Sequence, residues 1–261
     1  MWFRIAAVVF ASSIVLNLVL MAMRADGWIV PGLLFGWILA DFGSGLLHML
    51  MDYVHCPKEL GFDRLYFHQG YRDQTYAALK REVMAGRSAF YRLAFDFKIH
   101  HPWPDGLGRR STATLCRETL PMFGLPLSIL VNLAAIAGSL SAGWIAVGTT
   151  LAIGGAFAQY LHGQMHREPP ARHVLVLRRL GLLMTPAAHR IHHDTLDRDF
   201  AIITGWTNPL LNPIFRALRH LGICRDADLE PPRTEATRDL PSPDPRPGLA
   251  RPSAGEHPVA G

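Results

Sequence analysis

Cysteine is scarce in this 261-residue chain: Cys56, Cys116 and Cys224 are the whole supply, with no Cys-x-x-Cys and an odd count. That excludes a disulfide framework and fits a reducing compartment. Charge is scarce as well, at 18%, while apolar residues make up 49% and mean hydropathy is +0.14, unlike an ordinary soluble domain. Lysine is nearly missing, with Lys58, Lys80 and Lys98 set against an arginine majority. With abundant Ala and Pro, that bias points to a GC-rich bacterial genome. The net charge is +5, but no nucleic-acid-binding module accompanies it, so anionic lipid is the expected counterpart and nucleic acid is not. A zinc peptidase is excluded because His162-Gly-Gln-Met-His166 lacks the glutamate of His-Glu-x-x-His. There are no internal repeats, and no cytochrome b5, flavin or ferredoxin module is visible.

Long apolar runs are what the chain does have. Ile5 to Met23 is close to the ~20 residues that cross a bilayer and longer than the ~7–15 of a signal-peptide core. Met23-Arg24-Ala25 is a poor cleavage site, so residues 5–23 read as an uncleaved first span. A second span covers 28–51, a third 120–140 and a fourth 144–161, the last two joined tightly through Ser141-Ala-Gly143. The second holds Asp41, which costs ~2.5–3.5 kcal/mol at a helix centre and must therefore face protein. Asp41, Gly45, His48 and Asp52 form one stripe at i, i+4, i+7 and i+11.

Residues 53–118 are polar, basic and interleaved with aromatics. Tyr71–Phe97 reads as one or two amphipathic helices at a membrane surface. Pro102 and Pro104 end the helix that carries His100 and His101. Ala171–Leu183 reads as an interfacial helix, and Phe200–Phe215 is too broken by Gly205, Pro209 and Pro213 to span. A membrane domain over 1–224 is followed by a disordered tail, 225–261, with eight prolines. Residues 53–118 carry 11 basic residues and 162–261 carry 13, whereas the two short opposite loops carry only Arg24. The positive-inside rule then places both termini and both long segments in the cytoplasm, in a bacterial inner membrane. The expected fold class is all-α: an integral membrane protein of about four transmembrane helices under a cytoplasmic, histidine-rich helical cap.

His189-Arg-Ile-His192-His193 organises the rest, because residues three and four apart share one helix face. His162 and His166 form a second i, i+4 pair, His100 and His101 are adjacent, and His48 precedes Asp52 by four. Adjacent histidines on a helix point about 100° apart, so His100 and His101 serve as ligands together only by bracketing a site or reaching different ions. All eight histidines fall at helix ends on one side of the membrane, not paired within the spans as a haem cytochrome requires. Eight donors exceed the four of a single zinc site and suit two ions with open positions, for which an oxygen-activating non-haem iron pair fits best. Asp52 is a candidate direct ligand. Asp41, Asp194 and Asn208 are candidates to orient the imidazoles from behind, and His55, one turn past Asp52, is a candidate ninth ligand. Soluble di-iron bundles use carboxylates with Glu-x-x-His, a different donor set.

These motifs resemble the lipid desaturase family that includes animal plasmanylethanolamine desaturase (Kua), bacterial CarF and the plant FATTY ACID DESATURASE 4. The resemblance covers roughly residues 28–215. It rests on Ala40-Asp-Phe-Gly-Ser-Gly-Leu-Leu-His48 with Asp52, His100-His101-x-Trp-Pro104, His162-x-x-x-His166, His189-x-x-His192-His193 and Phe200-Ala-Ile-Ile-Thr-Gly205-Trp206-Thr-Asn208-Pro. It implies a membrane oxidoreductase with two histidine-bound irons, using dioxygen and an external donor of ferredoxin or cytochrome b5 type to desaturate a glycerolipid chain. The Trp-Pro after the histidine pair looks like the plant branch, which acts on a phosphatidylglycerol acyl chain. The Arg-His-Asp-Phe element of the vinyl-ether-forming branch is absent: Cys116-Arg117-Glu118 stands nearby, and Gln164 replaces a usual Trp. Both substrates stay open, as do a lipid or sterol hydroxylase on the same metal site and a non-catalytic membrane metal-binding protein.

Overall fold

A computed structural model describes residues 2–68, 73–225 and 229, so the Pro-rich tail lies outside the described residues save for Arg225 and Leu229. The described residues contain helices and no strand. Helix α1 (Trp2–Met23) and α2 (Ile29–Asp52) are joined by a turn in which Asp26 Oδ1 accepts the Trp28 N–H at 2.9 Å. A short helix α3 (Phe62–Tyr66) precedes the amphipathic pair α4 (Gln74–Met84) and α5 (Ala89–Ile99). Asp73 and Ser88 cap these two helices through the N–H groups of Thr75 and Tyr76, and of Tyr91. Pro104 opens α6 (Pro104–Gly108) at a position where its missing N–H costs nothing, and α7 (Thr112–Leu115) follows.

A five-residue π turn, Leu120–Gly124, runs into α8 (Leu125–Ile136), and α9 (Ala142–Met165) returns beside it. Helix α10 (Arg172–Arg179), α11 (Pro186–Thr195) and α12 (Asn208–His220) complete the cap. The amphipathic stretch before His100 is thus two helices, and the interfacial segment forms a shorter helix than expected.

Three helices, α1, α2 and α9, are long and apolar enough to cross a membrane; the third expected span is shorter than 120–140. It stops at Ile136 because Gly138 adopts φ 77°. There the Ser139 N–H bonds Ala134 O at 3.0 Å and the Gly138 N–H bonds Ala135 O at 2.9 Å, a left-handed cap that closes the helix. The fourth expected span begins at Ala142 and continues past Leu161 to Met165.

Small residues set the distance between α2 and α9. A Cβ on Gly36 would stand 2.3 Å from the Val147 carbonyl oxygen, so only glycine admits this approach. Helices α1 and α8 are joined by a buried polar node in which Ser13 receives the Asn132 Nδ2 and Ser128 Oγ donors at 2.6 Å each. The consequence for the site is positional. The close pairing of α2 and α9 brings the ends that carry His48, Asp52, His162 and His166 to the same level, under α5 and α11.

Candidate metal centre

Each donor arrives on a helix end. His48 and Asp52 occupy the last two turns of α2, His162 the last turn of α9, and His166 its C-cap; His100 caps α5, and His101 follows. Thr185 starts α11 by accepting the Ala188 N–H, Pro186 takes the first turn, and His189, His192 and His193 follow at helical spacing.

The eight histidines and Asp52 divide into two groups. One holds His100, His162, His166, His189 and His193; the other holds His48, Asp52, His101 and His192. Within each, one donor atom per residue lies within 4.8 Å of all the others. Both adjacent pairs are split between the groups, the second of the two arrangements open to neighbouring histidines. The first group is all imidazole, whereas the second has three imidazoles and a carboxylate.

The separations suit metal ions. His189 Nε2 lies 3.1 Å from both His162 Nε2 and His193 Nε2, and His192 Nε2 lies 3.3 Å from His101 Nε2. Two donors each about 2.1 Å from one ion at a near-right angle stand about 3 Å apart. Asp52 Oδ2 sits 3.3 Å from His48 Nε2, 3.3 Å from His192 Nε2 and 3.7 Å from His101 Nε2, so the carboxylate is central to its group. His48 Nε2, His100 Nε2 and His166 Nε2 are buried without a hydrogen-bond partner, the condition of donors aimed at an ion. The donor set therefore fits two ions.

Backbone carbonyls fix the rings from behind. His100 Nδ1 bonds Phe97 O, His48 Nδ1 bonds Phe200 O at 3.0 Å, and His192 Nδ1 bonds Arg198 O at 3.0 Å. These contacts leave Nε2 as the ligating atom. Two of the carbonyls come from one extended strap, residues 198–207. Asp199, between them, adopts φ 60°, and paired bonds hold it there: its N–H donates to Asn212 Oδ1 at 2.9 Å, and Asn212 Nδ2 donates to its Oδ1 at 3.0 Å. Further along, Asp41 Oδ1 accepts the N–H groups of Ile203, Thr204 and Gly205 at 3.2, 2.7 and 3.1 Å. Its Oδ2 accepts the Thr207 N–H at 3.1 Å and the Thr207 hydroxyl at 2.7 Å. The intramembrane carboxylate is thereby satisfied by protein, as its insertion cost demands.

Burial, and then the neighbouring imidazoles, hold His100, His189 and His193 well below the ordinary histidine range; burial, followed by His192, lowers His166 to about 4. Neutral imidazole is the form that binds metal. In the metal-free protein the unfolded chain, with histidine near 6.5, takes up protons before the folded one does as pH falls. Stability is therefore full above about pH 7 and declines below about 6.5, each such histidine contributing ~1.4 kcal/mol per pH unit. Chelated, detergent-purified protein is expected to show a melting temperature that falls monotonically from pH 7.5 to 5. A flat profile would contradict neutral burial.

The structure brings His48, Asp52, His100, His101, His162, His166, His189, His192 and His193 together in the two groups. Asp194 is exposed and belongs to neither group, because it lies about 140° around the helix from His189. Among the described residues the hydrogen bonds of Asp41 and Asn208 go to the strap and not to an imidazole: Asp41 accepts its N–H groups, and Asn208 Oδ1 accepts the Ala201 N–H at 2.9 Å. His55 is exposed and outside both groups. Sequence reasoning missed Lys98, fully buried, whose ammonium donates to the Asp52 carbonyl at the end of α2. Its one signal was a cation in the middle of Phe97-Lys98-Ile99. The strap carbonyls carried no signal, since any residue supplies one.

The family model described as the lipid desaturase domain matches residues 74–222. Among curated proteins, "Fatty acid desaturase 4, chloroplastic" of Arabidopsis thaliana is 25% identical over 189 residues, 70% of this chain and 48% of that protein. The chain thus spans about half the length of that relative. No solved structure matches.

Proposed function

The chain belongs to the lipid desaturase family, and we propose that it is a membrane oxidoreductase that places a double bond in a glycerolipid chain. The observation that carries the reading is the division of nine buried or half-buried donors into two ion-sized groups at the ends of apolar helices. Iron is the proposed metal, held by the five histidines on one side and by His48, Asp52, His101 and His192 on the other. A bound iron pair would supply oxidation of a CH2–CH2 unit by dioxygen, with two electrons and two protons from outside giving CH=CH and two waters. A ferredoxin or cytochrome b5 type of donor is the proposed source of electrons.

The chain's own residues account for the rest. Strap carbonyls and Phe97 O keep Nε2 unprotonated and inward. Burial keeps the rings of His100, His166, His189 and His193 neutral, and Asp52 supplies the one carboxylate of its group. Depth supports a lipid substrate. Exposed Trp28 and Trp144 suit the far interface, and the ~20 residues that cross the hydrocarbon from there lead to His48 on α2 and to His162–His166 on α9. The centre then lies at the near boundary, which favours C–H pairs close to the head-group end of a chain. The basic cap faces the cytoplasm of a bacterial inner membrane under the same proposal.

The test is elemental analysis of the purified protein, with lipid analysis of an expressing host under air and under nitrogen. About two irons per chain and an oxygen-dependent unsaturated lipid are expected. Zinc alone, or no reproducible metal, would sink the iron reading. A hydroxylated lipid would replace desaturation by hydroxylation, and the position of the new double bond would separate acyl from vinyl-ether products.

A further inference from the structure

A cleft of about 70 Å³ adjoins the five-histidine group, with His100 and His162 among its lining residues. Leu93, Phe97, Leu107 and Leu115 give it apolar walls, and Asp96, Arg110 and Glu118 are the charged groups lining it. Asp96 stands one helical turn, about 6 Å, before His100 on α5. A single small cleft therefore brings charged groups, apolar walls and two of the metal-ligand candidates together.

The charged end is built around an ion pair that a ligand can enter. Arg110 reaches Asp96 with both terminal nitrogens, at 3.1 and 3.4 Å, and Lys80 Nζ stands 4.0 Å from the same carboxylate. Two cations thus converge on Asp96, with Glu118 the second carboxylate of the cleft, so Lys80 can hold Asp96 when a ligand takes Arg110. Both partners of the Arg110–Asp96 pair are accessible, at 31% and 40% exposure, so an incoming anion can take the guanidinium. The loop beneath is fixed from the site itself: Arg167, next to His166, donates to Gly108 O at 2.7 Å and to Arg110 O at 2.6 Å. A planar guanidinium held at a set distance from the histidines offers two parallel donors to a phosphate.

We propose that this cleft seats the head-group end of the substrate, with Arg110 binding the phosphodiester of a glycerophospholipid in exchange for Asp96. The proposal rests on the desaturase reading for its substrate class, and its test reads binding without turnover. Full-length detergent-purified protein is titrated with a chain-labelled fluorescent phospholipid and with the diacylglycerol of the same chains, which lacks phosphate. Arg110→Gln is expected to weaken phospholipid binding about tenfold or more, the scale of a lost charge-assisted pair, and to leave diacylglycerol binding unchanged. Asp96→Asn is expected to strengthen phospholipid binding a few-fold, since it frees the guanidinium.

A merely structural ion pair predicts that both variants weaken binding and lower the melting temperature together, and that result would overturn the proposal. So would phospholipid binding indifferent to both substitutions, or binding of inorganic phosphate at Arg110 with no phospholipid binding. Metal content is expected to stay at the wild-type value in both variants. Absence of lipid turnover in the wild type would overturn the desaturase reading while leaving the opposite signs of the two variants to be read on their own.

Discussion

Asp41→Ala is expected to abolish metal binding in the His48–Asp52–His101–His192 group without altering a ligand. The carboxylate accepts four backbone N–H groups and one hydroxyl in a buried setting. Each buried donor left unsatisfied costs ~1–3 kcal/mol, so the loss is at least about 3 kcal/mol even where water enters. The strap then loosens, and with it the Arg198 and Phe200 carbonyls that set the rings of His192 and His48. The five-histidine group draws only one face of α11 from that region and is expected to keep its ion. Elemental analysis should read about half the wild-type metal, and lipid conversion should be lost. Full metal content in Asp41→Ala would show that the strap does not orient the ligands.

His192→Ala and His193→Ala, neighbours in sequence, are expected to affect different ions. His192 is one of four donors in its group, and its removal leaves His48, Asp52 and His101, with Asp52 Oδ2 short of a partner 3.3 Å away. That variant should lose about one metal per chain. His193 is one of five, and four imidazoles remain to hold an ion; four protein ligands already complete a stable site. His193→Ala should therefore keep about two metals per chain at saturating metal, with weaker retention on dialysis against a chelator. His192→Ala should lose most lipid conversion, because the proposed reaction uses a pair of ions, and His193→Ala should keep conversion in step with the metal it retains. Equal metal loss in the two variants would refute the division into two groups.

Much of this site was legible in the chain because ligand donors on helices repeat at three and four residues, and that spacing is visible without coordinates. His189, His192 and His193 declared themselves in this way, as did His162 with His166 and the stripe from Asp41 to Asp52. The apolar runs likewise announced α1, α2 and α9, whose composition leaves few alternatives to a membrane. The third run misled at its end, since Leu120–Leu140 carries no charge and only the left-handed turn at Gly138 stops the helix. Asp194 misled for a related reason: adjacency in sequence to His193 says nothing of direction, and the helix turns it away from both groups.

By itself the sequence determined the helical class, the membrane-crossing character, the histidine inventory and the need for a protein partner at Asp41. These follow from local periodicity and from the cost of polar groups in hydrocarbon, which act on each segment separately. The tertiary structure decided which histidine joins which group, that Asp41 holds the strap and not a ring, that Lys98 is buried against the end of α2, and that Arg110 pairs with Asp96 one turn before His100. Those facts depend on how close α2 approaches α9 and where the strap crosses them. They are set by packing between distant segments and by backbone carbonyls that every residue carries.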